Sequence, residues 1–311
     1  MDKKKQIAEL IQPISDDLLS GAAEIALKAI FIYQTVMNLE PGADVATLRA
    51  DLSETARALV ECQPAMAPLF HLSNKVLFAA QQASNPAELR KSCQNALDEF
   101  ERSLCESAAK IAEFVYDLMP PGEMVFAYSF SSTVVSCLLH ARAKGRYFRV
   151  ACSESRPSWE GRKLSTILAS GGIEVIHTFD SAMGIVLPTC SIAFMGCDCV
   201  GTPGLVNKVG SLLLALSCRE MGIPLYALCG TDKFVTDERL FEFENHQRPG
   251  NEVWDEPPKG VQVLNRQFEL IPTKLLTGLV TEAGILKEQD FSKYLSKMPV
   301  HEALRLEPAG F

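Results

Sequence analysis

No window of the 311-residue chain approaches the roughly 20 uninterrupted apolar residues that a membrane-spanning helix requires, so no membrane role is expected. The amino terminus, "MDKKKQIAEL", is too charged to lead into the apolar core of a secretory segment. Basic residues are in deficit, with 30 Lys and Arg against 38 Asp and Glu, and the acids are scattered rather than blocked. A nucleic-acid surface needs a basic face, so direct nucleic-acid binding is not expected. No Cys-x-x-Cys pair or Cys/His cluster has zinc spacing; Cys197 and Cys199 stand close together without partners nearby, and no metal is expected. A glycine-rich dinucleotide fingerprint and a P-loop are both missing, which leaves no sequence ground for NAD or ATP and implies no cofactor. Internal repeats and low-complexity tracts are lacking as well.

What is present reads as a globular protein. Hydrophobic residues make up 47% and charged residues 22%. Ten cysteines could suggest disulfides, but most sit inside apolar runs, such as Cys137 in "VVSCLLHA" and Cys218 in "LALSCRE". Free cysteine there behaves as a small buried hydrophobe in a reducing compartment, which implies a cytoplasmic protein. At about 100–200 residues per domain, the length suggests two domains.

Residues 1–119 carry a helical period throughout. The clearest helix begins at "SNPAELRKSC", with Asn85 as N-cap, Pro86 in the first turn and Glu88 three residues after the cap. Its apolar positions, from Leu89 and Cys93 through Leu104 and Ala108 to Ile111, Val115 and Leu118, step by threes and fours as one continuous stripe. Pro120, Pro121 and Gly122 stop it. This predicts a helical bundle over 1–119. Beyond the break, short apolar runs ("MVFAYS", "YFRVACS", "IEVIHTF", "CSIAFMG", "IPLYALC") alternate with segments of helical length. That alternation predicts βαβ units and a buried parallel sheet over 123–311, an α/β fold overall. The segment "FENHQRPGNEVWDEPPKG" reads as a surface excursion before a final strand pair.

Ligands in such sheets sit beyond the carboxyl ends of the strands, and the unusual chemistry falls there. After the first strand, "AYSFSSTVV" brings Ser129, Ser131, Ser132 and Thr133 to a helix start, where hydroxyls and free amides attract phosphate or simply cap the helix. After the second, "CSESRPSWEGRKL" offers Arg156 as an anion clamp and Glu154 as a hydroxyl acceptor or a partner for the arginine; an exposed ion pair is the plainer alternative. After a later strand, "GCDCVGTPGLVNKVGS" places Asp198 just past the strand end, with Gly201 and Gly204 shaping the turn. Asn207 and Lys208 are read at the N-terminus of a helix beginning near Val209, where a lysine is unfavourable unless an anion meets it. A carboxylate, an amide and an ammonium on one loop can bind a phosphosugar and move a proton. Asp198 is expected to be partly desolvated and its pKa raised, with Lys208 or Lys233 opposing the shift.

These residues carry a family resemblance. "SESRPSWEGRKLSTILASGGIEVIHTFDSA", "GCDCVGTPGLVNKVGSLLLAL" and "IPTKLLTGLVTEAGIL" resemble the alpha, beta and delta regulatory subunits of eukaryotic translation initiation factor two-B. They equally resemble that superfamily's enzymes, ribose-1,5-bisphosphate isomerase and methylthioribose-1-phosphate isomerase. "SGAAEIALKA" resembles the family's N-terminal phosphate loop, which falls on Ser20, Gly21 and Ala22. The resemblance implies a helical domain, a Rossmann-like domain, a phosphorylated sugar or nucleotide in the cleft between them, and a homodimer or higher oligomer. It places the isomerases' catalytic aspartate on Asp198, their Asn-Lys pair on Asn207 and Lys208, and a further lysine on Lys233. Two departures stand out. Where the isomerases have a catalytic cysteine this chain has "AYSFSS", with Phe130 or a neighbouring serine at that point, and the arginine before Gly-Ala is Ser20. Cys152 and Cys197 lie near in sequence and either substitute for that cysteine or, as expected, pack in the strand ends. The function implied is that of a ligand-binding subunit; the alternative is an aldose–ketose isomerase of a sugar 1-phosphate such as ribose 1,5-bisphosphate, using Asp198.

Overall fold

The computed structural model describes residues 3–17, 20–64, 66–237, 239–240, 247–295 and 298–305. By internal contacts the chain forms two units, Met1–Cys105 with Lys297–Phe311, and Glu106–Ser296.

The first unit is helical. It holds α1 (Lys3–Ser15), α2 (Ala22–Asn38), α3 (Val45–Cys62), α4 (Ala67–Gln81) and the front of α5 (Pro86–Leu118). Local chemistry starts these helices: Asp44 accepts from Thr47 N at 2.8 Å ahead of α3. Ahead of α5, Asn85 accepts from Glu88 N at 2.9 Å while Glu88 accepts from Ser84 N at 2.7 Å. These bonds satisfy N–H groups that a helix start leaves open. A chain segment from the far terminus completes this unit. Asn74 on α4 donates to Pro299 O at 2.9 Å and accepts from His301 N at 2.8 Å, and Arg57 on α3 donates to Ala303 O at 3.0 Å.

The division differs from a boundary at residues 120–122. The helix does end there, but α5 serves two cores. Leu89, Cys93, Leu97 and Phe100 are buried, Leu104 and Ala108 are only half-buried, and burial resumes at Ile111. Ile111, Ala112, Val115 and Met119 pack with Val125, Ala127 and Leu138 of the second unit's core. The stripe is continuous in sequence and interrupted in space.

The second unit runs β1 (Met124–Tyr128), α6 (Ser132–Ala143), β2 (Arg149–Ser153), α7 (Glu160–Ser170), β3 (Glu174–Thr178), a single turn α8 (Met183–Val186), β4 (Ile192–Met195), β5 (Cys199–Gly201), β6 (Gly204–Lys208), α9 (Ser211–Met221), β7 (Leu225–Leu228), β8 (Phe268–Ile271), β9 (Gly278–Thr281), β10 (Gly284–Leu286) and α10 (Glu288–Leu295). Seven strands form one sheet in the order β10-β9-β7-β4-β1-β2-β3, parallel except for β10. β1 and β4 are buried at every position, as strands covered on both faces must be. From β1 the chain winds outward to β2 and β3, then returns to β4 on the other side of β1. The carboxyl ends of β1 and β4 therefore flank the switch in winding direction, where open α/β sheets hold ligands.

A second sheet, β5-β6-β8, is antiparallel. It overturns the expectation that residues 199–208 form a loop leading into a helix. Thr202 and Pro203 turn a hairpin between the glycines that open and close it, and α9 begins only at Ser211. The excursion is surface chain as expected where it is described: residues 255–261 are exposed.

Candidate functional site

β1 ends on Tyr128, and the next residue, Ser129, takes a left-handed conformation (φ 60°) uncommon for a side chain with a Cβ. Its hydroxyl donates to Glu160 Oε2 at 2.6 Å. Glu160 opens α7, and its other oxygen accepts from Lys208 Nζ at 2.8 Å; Lys208 also donates to Ser158 Oγ at 3.0 Å. The lysine side chain is 3% exposed and the glutamate 16%. A buried ammonium must be paired, and Glu160 pairs it.

This corrects the reading of Lys208 as a cation at a helix start waiting for an anion. Lys208 is the last residue of β6. The N-terminus of α9 already has its acid: Glu269 Oε1 accepts from Gly210 N at 2.7 Å and Leu212 N at 2.8 Å. Asn207 is buried beside it, donating to Ser211 Oγ at 2.8 Å, and Ser211 in turn donates to Lys208 O at 2.7 Å. Gly210 adopts φ 101°, and a Cβ there would overlap the Tyr128 hydroxyl, which donates to Val209 O at 2.6 Å.

Asp198 follows β4, and its N–H donates to Val206 O at 2.9 Å across the hairpin, fixing its place beside β6. The residue is half-buried, and desolvation pushes its carboxyl up to about 6. Lys233 opposes that shift most, the Glu160 charge adds to it, and Lys208 opposes it. The expected direction and its opponents are both found. Lys233 ends the short turn after β7 and is 8% exposed. Thus two carboxylates and two ammonium groups share the mouth at the ends of β1, β4, β6 and β7.

The other candidates fall as follows. Gly196 touches two of them: a Cβ there would lie 2.8 Å from Ser131 Cβ and 3.7 Å from Asn207 Oδ1. Ser131 caps α6, accepting from Val134 N at 3.4 Å, and Ser132 is the first helical residue. Glu154 does not orient Arg156; it pairs with Arg162 at 3.1 Å. The backbone N–H groups of Ser155 and Arg156 are held by Asp180 at 2.8 Å each. The Arg156 guanidinium lies 4.3 Å over the Trp159 ring and makes no ion pair with a described residue. It borders a cavity of about 520 Å³ walled by Val209, Leu212, Leu264 and Phe268. Ser20, Gly21 and Ala22 belong to the first unit. There Gly21 precedes α2, Ser20 N donates to Asp17 Oδ1 at 2.9 Å, and Lys28 Nζ donates to Ser20 Oγ at 2.9 Å.

The nearby thiols are packing groups. Cys152 lies against Ser165 Oγ at 2.9 Å and Cys197 against Cys199 O at 3.3 Å, and burial raises both above the usual thiol range. Low-pKa thiolates do the nucleophilic and acid–base work of cysteine, and neither qualifies. Among the described residues, no group of three or more His, Cys, Asp and Glu is arranged to hold a metal ion. No described helix is long and apolar enough to cross a membrane. Sequence reasoning missed Glu160, Ser129 as its donor, Asp180 and Glu269. Glu160 carried one signal, an acid in the first turn of a helix, which is ordinary enough to pass unread.

A family model described as the initiation factor 2 subunit family matches residues 18–288. A translation initiation factor eIF-2B subunit 2-like protein of Pyrococcus abyssi is 31% identical, over 90% of this chain and 96% of its own. The ribose 1,5-bisphosphate isomerase of Thermococcus kodakarensis is 26% identical, over 91% of each chain. A crystal structure of the Pyrococcus horikoshii OT3 translation initiation factor eIF-2B superposes with a TM-score of 0.77 at 27% identity, covering 91% of this chain and 97% of that one.

Proposed function

The chain belongs to the initiation factor 2 subunit family, and on that premise we propose that it binds a phosphorylated sugar or nucleotide at the carboxyl ends of β1 and β4. One observation carries the reading. Asp198, half-buried and flanked by Lys233 and Lys208, stands at the winding switch with Asn207 and the Ser129–Glu160 pair around it. Carboxylates accept from sugar hydroxyls, and the ammonium of Lys208 has three hydrogens, of which Ser158 and Glu160 take two. Arg156 is the anion clamp, because its guanidinium makes no ion pair among the described residues and its planar fork suits a phosphate. Ser131 and Ser132 add hydroxyls at the start of α6, and Glu154 steadies the Arg156 loop through Arg162. For Ser20, Gly21 and Ala22 the proposal is a phosphate-binding turn in their own unit. We take the protein as cytoplasmic and as a homodimer or higher oligomer. A thermal-shift screen of sugar phosphates and nucleotides tests the reading; stabilisation by members of one class supports it, and none by any counts against it.

The raised Asp198 carboxyl favours a second reading, an aldose–ketose isomerase of a sugar 1-phosphate. Moving a carbonyl from carbon 1 to carbon 2 needs a proton taken from one carbon and delivered to the next. A carboxyl near 6 can do both at neutral pH. An isomerisation assay on each screening hit, repeated with Asp198→Asn, separates the readings. An isomerase loses turnover and keeps binding, whereas a ligand-binding subunit shows no turnover in either protein.

A further inference from the structure

We propose that Glu160 is the residue that limits the ligand to a single phosphate group. With Lys208 and Ser129 it makes the β1 end of the mouth a neutral pocket for sugar hydroxyls. The inference rests on the sugar-phosphate reading above and narrows it. Both Glu160 oxygens are committed, one to Lys208 at 2.8 Å and one to Ser129 at 2.6 Å. Across the mouth the Asp198 carboxylate faces Lys233 and Lys208. Glu252 also reaches Lys208 but is itself paired with Arg248, so three cations at this end meet three carboxylates. A phosphate brought to Lys208 would come within reach of the Glu160 charge, in a setting too buried for water to screen it. Hydroxyl groups carry no such penalty: they can donate to Asp198 and accept the remaining Lys208 hydrogen. Positive charge without an ion-pair partner among the described residues lies instead at Arg156 on the neighbouring loop, over the Trp159 ring, and this is where the one phosphate would bind.

Replacing Glu160 by Gln tests this with a nearly unchanged shape. The amide still accepts from Lys208 through its oxygen, but the pocket gains one net positive charge and a donor. The probes are ribose 5-phosphate and ribose 1,5-bisphosphate, titrated calorimetrically into the full-length wild type and Glu160→Gln. The wild type is expected to bind the monophosphate at least about tenfold more tightly than the bisphosphate, a difference of about 1.4 kcal/mol. Glu160→Gln is expected to improve the bisphosphate by about tenfold while the monophosphate moves by less than about threefold. Equal or tighter wild-type binding of the bisphosphate overturns the inference without any variant, so a poorly folding Glu160→Gln leaves it open to refutation. Monophosphate binding with an unaltered ratio in Glu160→Gln overturns it alone. Binding of neither sugar to either protein overturns the inference, while the screen of sugar phosphates and nucleotides decides the ligand reading separately.

Discussion

Lys208 and Glu160 form a buried ion pair, 2.8 Å from Nζ to Oε1, between the last residue of a hairpin strand and the first residue of α7. The pair joins the small antiparallel sheet to the carboxyl edge of the parallel one. Removing one partner leaves the other charge desolvated and unpaired. Lys208→Met is therefore expected to destabilise the protein by about 3–5 kcal/mol. The double variant Lys208→Met with Glu160→Gln should recover much of that loss, because no lone charge remains. Urea denaturation of the two single variants and the double variant measures the coupling; additive losses would show that the pair is not energetically joined.

A different strain sits behind the site. Gly210 needs its left-handed backbone, and a side chain there meets the Tyr128 hydroxyl. Gly210→Ala is expected to cost about 3 kcal/mol from backbone strain and overpacking together. Adding Tyr128→Phe removes the obstructing oxygen, and the melting temperature should partly recover. Recovery that fails to appear would place the cost in the backbone alone.

The sequence showed the architecture more readily than the site. Alternation of short apolar runs with helical segments is a period-level signal, and the five runs from "MVFAYS" to "IPLYALC" became β1, β2, β3, β4 and β7. The hairpin was hidden because "CVGTPGLVNK" has two glycines and a proline in ten residues and reads as a turn throughout. Its pairing with β8, some sixty residues on, carries no local signature. Asp198 was legible because it stands three residues past the end of β4. Glu160 was not, since its partners Ser129 and Lys208 are 31 and 48 residues away and meet it only through the sheet. The contact division falls short of Pro120 for a physical reason: Pro120 ends a helix, but the half-buried stretch around Leu104 and Ala108 is where one core gives way to the other.

That boundary makes a prediction about fragments. Residues 106–296 should fold with mixed α/β circular dichroism and a cooperative melt. A fragment starting at residue 123 lacks Ile111, Val115 and Met119, whose burial contributes roughly 1.5–3 kcal/mol each. It should melt without cooperativity or aggregate. Equal melting of the two fragments would show that the end of α5 is not part of this core.

The Asp198 carboxyl links stability to pH. Its pKa rises from 3.8 in the free residue to about 6 in the folded protein, so between those values the native state holds more protons than the unfolded chain. The stabilisation from this group is complete below the lower value and lost as pH rises through the upper one. A shift of about two units bounds the effect at about 3 kcal/mol. Asp198→Asn cannot titrate, so its stability relative to wild type should improve by up to that amount between about pH 4 and 7.5. Chemical denaturation at both pH values reads the difference; a constant difference would mean that Asp198 titrates like a free aspartate.

The central claim is that Arg156 and Asp198 hold one phosphorylated ligand at the end of the parallel sheet. Calorimetric titration of the best sugar phosphate or nucleotide into wild type, Arg156→Ala and Asp198→Asn tests it most directly. Saturable binding by the wild type is expected, weakened in Arg156→Ala by about 1.5–3 kcal/mol, the scale of a hydrogen bond to a charged group. Asp198→Asn should still bind, with altered affinity. Unchanged affinity in both variants, or no binding of any sugar phosphate or nucleotide by the wild type, would contradict the account.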